Sequence, residues 1–399
     1  MLSVKRLNMS HLLGASAFCY FAFYLVLPNG SAAYFFALVS LSLVVRSFFK
    51  PNETALGKHA VVWALILIAF GAIGLASIAY HKASINLVDE PLHFLVVGLL
   101  ALVVLRYRID VLWVQAGVVC GTLAVLWMVL NQYTGGRFAP TMNATKFGTS
   151  IAFQAALCFS LAALGSNNWI RALLVVMGWA NVYFVSLTGT RGAFVALALY
   201  GIVFIVYIMG SSYSIKAKIV GLGILSVIIS APLLLDSVQG RLKQTLSEYS
   251  RIQAGDYSGS VGHRLVMYEA GIQAAGGAPL VGMGYDYKSI FESFSSSNQS
   301  KLSVAGRISV NFQNFHNVYV DTLVKRGLLG SLVLFGVFLG ALYSSSERQF
   351  LLMLPPVVIV AGAGLTDSVF ELGITTSYFV IATTLLKCVA VRSLDGGEG

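Results

Sequence analysis

The chain is written as one apolar run after another, each of the length that crosses a bilayer. A hydrocarbon layer about 30 Å thick takes about 20 helical residues. Runs of that order fall at 11–28, 31–48, 59–79, 92–106, 110–130, 148–166, 169–187, 192–210, 216–235, 327–344, 349–366 and 372–389. The expected fold is an all-α polytopic membrane protein of about twelve transmembrane helices. Only 11% of residues are charged and mean hydropathy is +0.80, whereas soluble domains carry about 25% charged residues. Met1–Ser10 is a short flank with Lys5 and Arg6 and no cleavage pattern, so the first run is expected to stay as a span.

An even number of spans puts both termini on one side, and basic residues choose the side. With the N-terminus cytoplasmic, the inner segments collect Lys5, Arg6, Arg46, Lys50, Lys58, Arg106, Arg108, Arg171, Lys216, Lys218, Arg348, Lys387 and Arg392. The short outer loops collect only Lys82, Arg137, Lys146 and Arg191. This predicts a multi-pass membrane protein with both termini in the cytoplasm. The same asymmetry accounts for much of the net charge of +10; membrane lipids, and no nucleic acid, are the partners that such basicity implies here.

One polar stretch interrupts the pattern. Residues 236–315 hold Arg241, Lys243, Arg251, His263, Arg264, Lys288, Lys301 and Arg307. The chain divides into 1–235 with spans one to nine, a polar domain at 236–315, and 316–399 with spans ten to twelve. The topology places the polar domain on the outer side of the membrane. Apolar spacing predicts a helix over 263–275, stopped by Gly276-Gly277, then a turn-rich connection over 279–284 and a Ser-rich loop over 293–306. Cys19, Cys120, Cys158 and Cys388 lie in or at the end of apolar runs without a Cys-x-x-Cys, and read as small packing residues.

Three residues stand out chemically. Arg191, in Thr188-Gly189-Thr190-Arg191-Gly192, sits between two spans on the outer side, against the charge bias. Snorkelling to headgroups is the ordinary use of such an arginine. Gly189 and Gly192 would instead let backbone approach a ligand, and a guanidinium matches phosphate oxygens in pairs. Arg264 opens the expected helix, where the dipole favours an anion over a cation. His316 lies where the polar domain meets the tenth span; histidine works as a base near neutral pH. Asn317 and Tyr319 are placed to orient it or a sugar hydroxyl. Lys325 and Arg326 would start the tenth span among lipid headgroups or touch a lipid phosphate.

No metal and no cofactor is expected. His11, His59, His81 and His93 are single, and no Asp-x-Asp occurs to hold a divalent ion. Asp89-Glu90 reads as a solvated loop face. A departing diphosphate would then be neutralised by arginine.

These motifs resemble those of the O-antigen ligase and polymerase superfamily of bacterial inner-membrane glycosyltransferases. Thr188–Gly192 is similar to its Thr/Ser-Arg-Gly turn. Arg264 with Pro279–Gly284 is similar to its Arg…Pro-Leu-x-Gly-x-Gly segment, and His316-Asn317 with Gly327 and Gly330 to its His-Asn…Gly-x-x-Gly segment. Tyr268 stands where many members carry tryptophan. The resemblance implies a GT-C-like fold with the periplasmic domain between helices nine and ten. It is strongest to the ligases. That implies metal-independent, inverting transfer of a polysaccharide from undecaprenyl diphosphate to lipid A-core, with Arg191 and Arg264 on the diphosphate and His316 as base. O-antigen polymerases and protein O-oligosaccharyltransferases use the same donor and remain open alternatives. A lipid-linked glycan flippase is the alternative of another class, but transporters concentrate polar groups at mid-membrane, and the span centres here are nearly free of charge.

Overall fold

The computed structural model describes residues 9–27, 36, 40, 56–165, 167–210, 236–297, 314–370 and 373–390. The expected spans at 31–48 (apart from Phe36 and Ser40) and 216–235 therefore lie outside the described residues. So do Lys301, Arg307 and most of the Ser-rich stretch.

Thirteen α-helices are seen among the described residues: α1 Met9–Phe23, α2 Lys58–Tyr80, α3 Asp89–Val104, α4 Val111–Gln132, α5 Ala144–Leu164, α6 Asn168–Thr188, α7 Arg191–Gly210, α8 Asp236–Gln253, α9 Ser260–Ala275, α10 Tyr287–Ser297, α11 Val318–Leu342, α12 Glu347–Gly364 and α13 Gly373–Lys387. Many starts follow from the sequence. Asp110, Asn143, Asn167, Asn317 and Ser346 each accept a hydrogen bond from a backbone N–H in the first turn of the helix that follows. Two short strands, β1 Ile109–Asp110 and β2 Val389–Ala390, pair in parallel at the end of the bundle that carries the N-termini of α4 and α12. The residues singled out above lie at the other end.

Among the described residues, seven helical stretches are long and apolar enough to cross a membrane: α2, α3 with the short turn before it, α4, α5, α6, α7 and α11. Helix α5 is buried along most of its length, and α6, α7 and α12 pack around it. Helix α12 is shorter and carries Pro355 and Pro356. A buried polar seam joins three of the spans: Asn181 Nδ2 donates to Thr122 Oγ1 at 2.8 Å, and Gln154 Nε2 donates to Val118 O at 3.0 Å. Cys120 is exposed on α4, whereas Cys158 and Cys388 are buried.

A second, smaller core sits beyond the bundle. Val266, Met267 and Ala270 of α9 and Tyr287, Ile290 and Phe291 of α10 pack with Phe315, Val320 and Val324. Helix α11 therefore serves both cores, its first turns the polar segment and the rest the bundle. The two parts meet at Gly327, whose φ of 63° and ψ of −161° break the helix. The 279–284 connection docks into that break: Leu328 N donates to Pro279 O at 2.8 Å and Met283 N to Val324 O at 2.7 Å. Gly282 has φ +83°, and a Cβ there would stand 2.5 Å from Val324 O.

The tenth span was expected to begin at 327, yet α11 begins at Val318. The intervening Asp321, Lys325 and Arg326 made the stretch look exposed. Lys325 and Arg326 are instead buried, paired with Asp321 and with Glu90. Arg326 Nη2 lies 2.8 Å from Glu90 Oε2, and the guanidinium stacks on Phe70. Neither cation reaches a headgroup, and Glu90 is not part of a solvated loop face. Residues 293–297, expected in the Ser-rich loop, are instead helical, the end of α10.

Candidate active site

Three chain segments converge at the end of the bundle opposite the strands. The first is the turn from α6 to α7. Gly189 takes the left-handed conformation (φ 60°) that lets α6 end, and Arg191 starts α7 two residues later. The turn is tied down on both flanks: Thr190 Oγ1 donates to Ala144 O at 2.9 Å and Arg137 Nε to Thr188 O at 3.1 Å. Gly192 is needed by contact, since a Cβ there would stand 2.2 Å from Thr366 Oγ1.

Arg191 Nη2 lies 3.5 Å from Glu248 Oε1, and that carboxylate is 1% exposed. Its other terminal nitrogen, Nη1, is buried and has no hydrogen-bond partner among the described residues. A buried guanidinium N–H is costly to leave unmet; an anionic oxygen would satisfy it.

Helix α9 is the second segment. It begins at Ser260, so Arg264 lies in its second turn instead of opening it. Glu248 Oε2 accepts from Val261 N at 2.9 Å. The anion expected at this helix start is thus supplied by the protein. Arg264 is half-buried and forms no ion pair with a carboxylate among the described residues. Its charge acts on Tyr268, one turn along. Burial raises the phenol above its ordinary range, with Arg264 pulling the other way, so Tyr268 stays a neutral donor. The Tyr268 hydroxyl lies 2.9 Å from His316 O and 3.1 Å from Leu365 O, joining α9 to the junction before α11 and to the turn that follows α12.

The third segment is the junction before α11. His316 has φ 48°, a left-handed conformation that is strained for a residue with a side chain. Asn314 Oδ1 accepts from its backbone N at 2.8 Å. Its Nδ1 lies 3.0 Å from Asp367 Oδ1. Asp367 also accepts from Ser368 N at 3.0 Å, and its neighbour Thr366 is the residue against which Gly192 packs. A carboxylate on Nδ1 selects the tautomer in which Nε2 is the basic nitrogen.

The structure thus gathers Arg191, Arg264 and His316 around the Leu365–Asp367 turn. It gives Asn317 and Tyr319 other duties. Asn317 Oδ1 caps α11 through Tyr319 N and Val320 N, and its Nδ2 donates to Leu365 O. Tyr319 donates to Ala361 O at 2.9 Å. Neither orients the imidazole. Asp367 does that, and sequence reasoning passed over it because it closes an apolar run like any boundary acid. Glu248, within the polar stretch, was likewise not singled out. The signal available for both was the lone arginine and histidine that each must balance. Among the described residues, no three His, Cys, Asp or Glu side chains cluster as metal ligands.

Residues 172–335 match the family model described as O-Antigen ligase. This stretch, less than half of the chain, is similar to the O-antigen ligase family. It begins in α6 and ends in α11, and it holds Arg191, Arg264, His316 and Glu248; Asp367 lies beyond it. The chain is also 26% identical over 162 residues to an uncharacterized protein of Haemophilus influenzae. That likeness covers 40% of this chain and spans 39% of the relative.

Proposed function

We propose that the chain is an O-antigen ligase of the bacterial inner membrane, acting at its periplasmic face. It transfers O-antigen polysaccharide from undecaprenyl diphosphate to a sugar hydroxyl of lipid A-core, by metal-independent, inverting transfer. The observation that carries this reading is Arg191, with a buried nitrogen unmet among the described residues, gathered with Arg264 and the His316–Asp367 pair, all but Asp367 inside the stretch that matches the ligase family. In the proposed step the acceptor oxygen attacks the anomeric carbon while the bond from that carbon to the diphosphate oxygen breaks. The hydroxyl proton passes to His316 Nε2, and Asp367 steadies the imidazolium. The electron pair leaves on the diphosphate, where Arg191 and Arg264 neutralise it. Attack opposite the leaving group inverts the anomeric centre. Positioned charge of this kind is commonly the largest catalytic contribution.

The family match and the arginines suit two close relatives of this reaction equally, and the acceptor separates them. Purified protein given undecaprenyl-diphosphate-linked glycan together with lipid A-core is expected to yield glycosylated lipid A-core. If the only product is a lengthened lipid-linked glycan, the polymerase reading replaces this one. Glycan on a serine or threonine of an added protein would indicate an O-oligosaccharyltransferase.

A further inference from the structure

The connection Ala278–Gly284 is uncharged from end to end, although it belongs to the most polar part of the chain. Its side chains are not tucked into the second core. Leu280 is 63% exposed and Val281 43% exposed. The loop lies directly beside Leu328 and Leu329 of α11, whose N–H groups donate to the backbone oxygens of Pro279 and Leu280 and which are themselves 48% and 50% exposed. The result is one apolar surface, running without interruption from the flank of a spanning helix onto the loop.

Its depth follows from helix lengths. The apolar part of α11 after the break, Leu328–Leu342, is about 22 Å long at 1.5 Å per residue, short of the hydrocarbon thickness of about 30 Å. Helix α2 gives a second ruler. Ser77 Oγ donates to Lys325 O at 2.6 Å, which sets Lys325 level with Ser77. Ser77 lies about 28 Å along α2 from Lys58, and Leu328 is nearly a turn deeper than Lys325. Both rulers put Leu280 at or below the rim of the hydrocarbon layer. The same depth explains why Lys325 and Arg326 are closed off by Asp321 and Glu90 instead of reaching water.

We propose that Leu280 and Val281 form a wedge inserted into the acyl region of the membrane, so that the polar segment is moored in lipid as well as through its chain connections. A lipid surface is the occupant because the patch continues a helix flank that itself faces lipid. This inference rests only on the spanning of α2 and α11, and holds whatever reaction the site performs. Interfacial apolar residues of this kind sink about 5–10 Å past the headgroups.

The test uses the full chain in lipid nanodiscs, with Cys19 and Cys120 replaced by serine. Leu280→Cys is labelled with an environment-sensitive fluorophore, and Ala254→Cys, exposed after α8, serves as the aqueous reference. Lipids carrying a nitroxide on the acyl chain are expected to quench the label at 280 strongly, while aqueous iodide quenches it several-fold less than at 254. Equal iodide quenching at both positions, with no effect of the lipid nitroxide, would overturn the wedge. Because a label can drag its own site into lipid, unlabelled Leu280→Asp is measured as well. It should weaken association of the polar segment with the bilayer, read as faster protease cleavage within 236–297, while leaving the melting of the detergent-solubilised protein unchanged. Unaltered cleavage would also count against the wedge.

Discussion

At the residue scale the decisive pair is His316 and Asp367. The carboxylate on Nδ1 fixes which ring nitrogen is basic and balances the charge that the ring gains. Replacing Asp367 with Asn is therefore expected to lower kcat about 10²-fold or more with little change in KM, since general-base transfer is worth about 10²–10⁴-fold. Initial rates at saturating donor would show it; unchanged kcat would remove Asp367 from the chemistry. Arg264, which no described carboxylate balances, should behave differently. Arg264→Ala is expected to cost more in kcat/KM for the diphosphate donor than Arg264→Lys does, because lysine keeps charge and loses the paired geometry. Glu248 bridges Arg191 and the start of α9. Glu248→Ala should destabilise the fold by about 1–3 kcal/mol, the cost of unmet buried partners, seen as a lowered Tm in detergent. A Tm equal to the parent's would mean that the bridge is not held.

At the scale of elements, the helices were legible because apolar length is a strong signal, and their N-caps confirm where many begin. The junction at α11 was not. Asp321, Lys325 and Arg326 make residues 318–326 look like outer loop, and only tertiary pairing with Glu90 and the tyrosine-lined second core makes them interior. Sequence spacing carries no sign of a partner more than two hundred residues away. The same limit hid Asp367, whose position is set by the fold of the α12–α13 turn. The glycines were easier to single out than to interpret. Gly282 and Gly327 are a clasp between the connection and the broken helix, and do not touch the His–Asp pair. Gly282→Ala should destabilise by about 1–3 kcal/mol through its left-handed backbone, with further loss from the 2.5 Å approach to Val324 O. Thermal melting would detect it, and normal melting would contradict the clasp.

For the whole molecule, the layout places the candidate site at one end of a bundle whose far end carries the strand pair. Buried helix α5 supports the Arg191 turn through Ala144, α12 ends in the turn that carries Asp367, and α9 reaches across through Tyr268. Three distant stretches of sequence thereby meet, as a lipid-linked donor held by its diphosphate would need. The most direct measurement is transfer from undecaprenyl-diphosphate-linked glycan to lipid A-core in proteoliposomes with excess EDTA, comparing the native chain with His316→Ala. The proposed mechanism requires product from the native chain in EDTA and a loss of about 10²–10⁴-fold in a His316→Ala protein that still folds and inserts. Near-native transfer by that variant would contradict it.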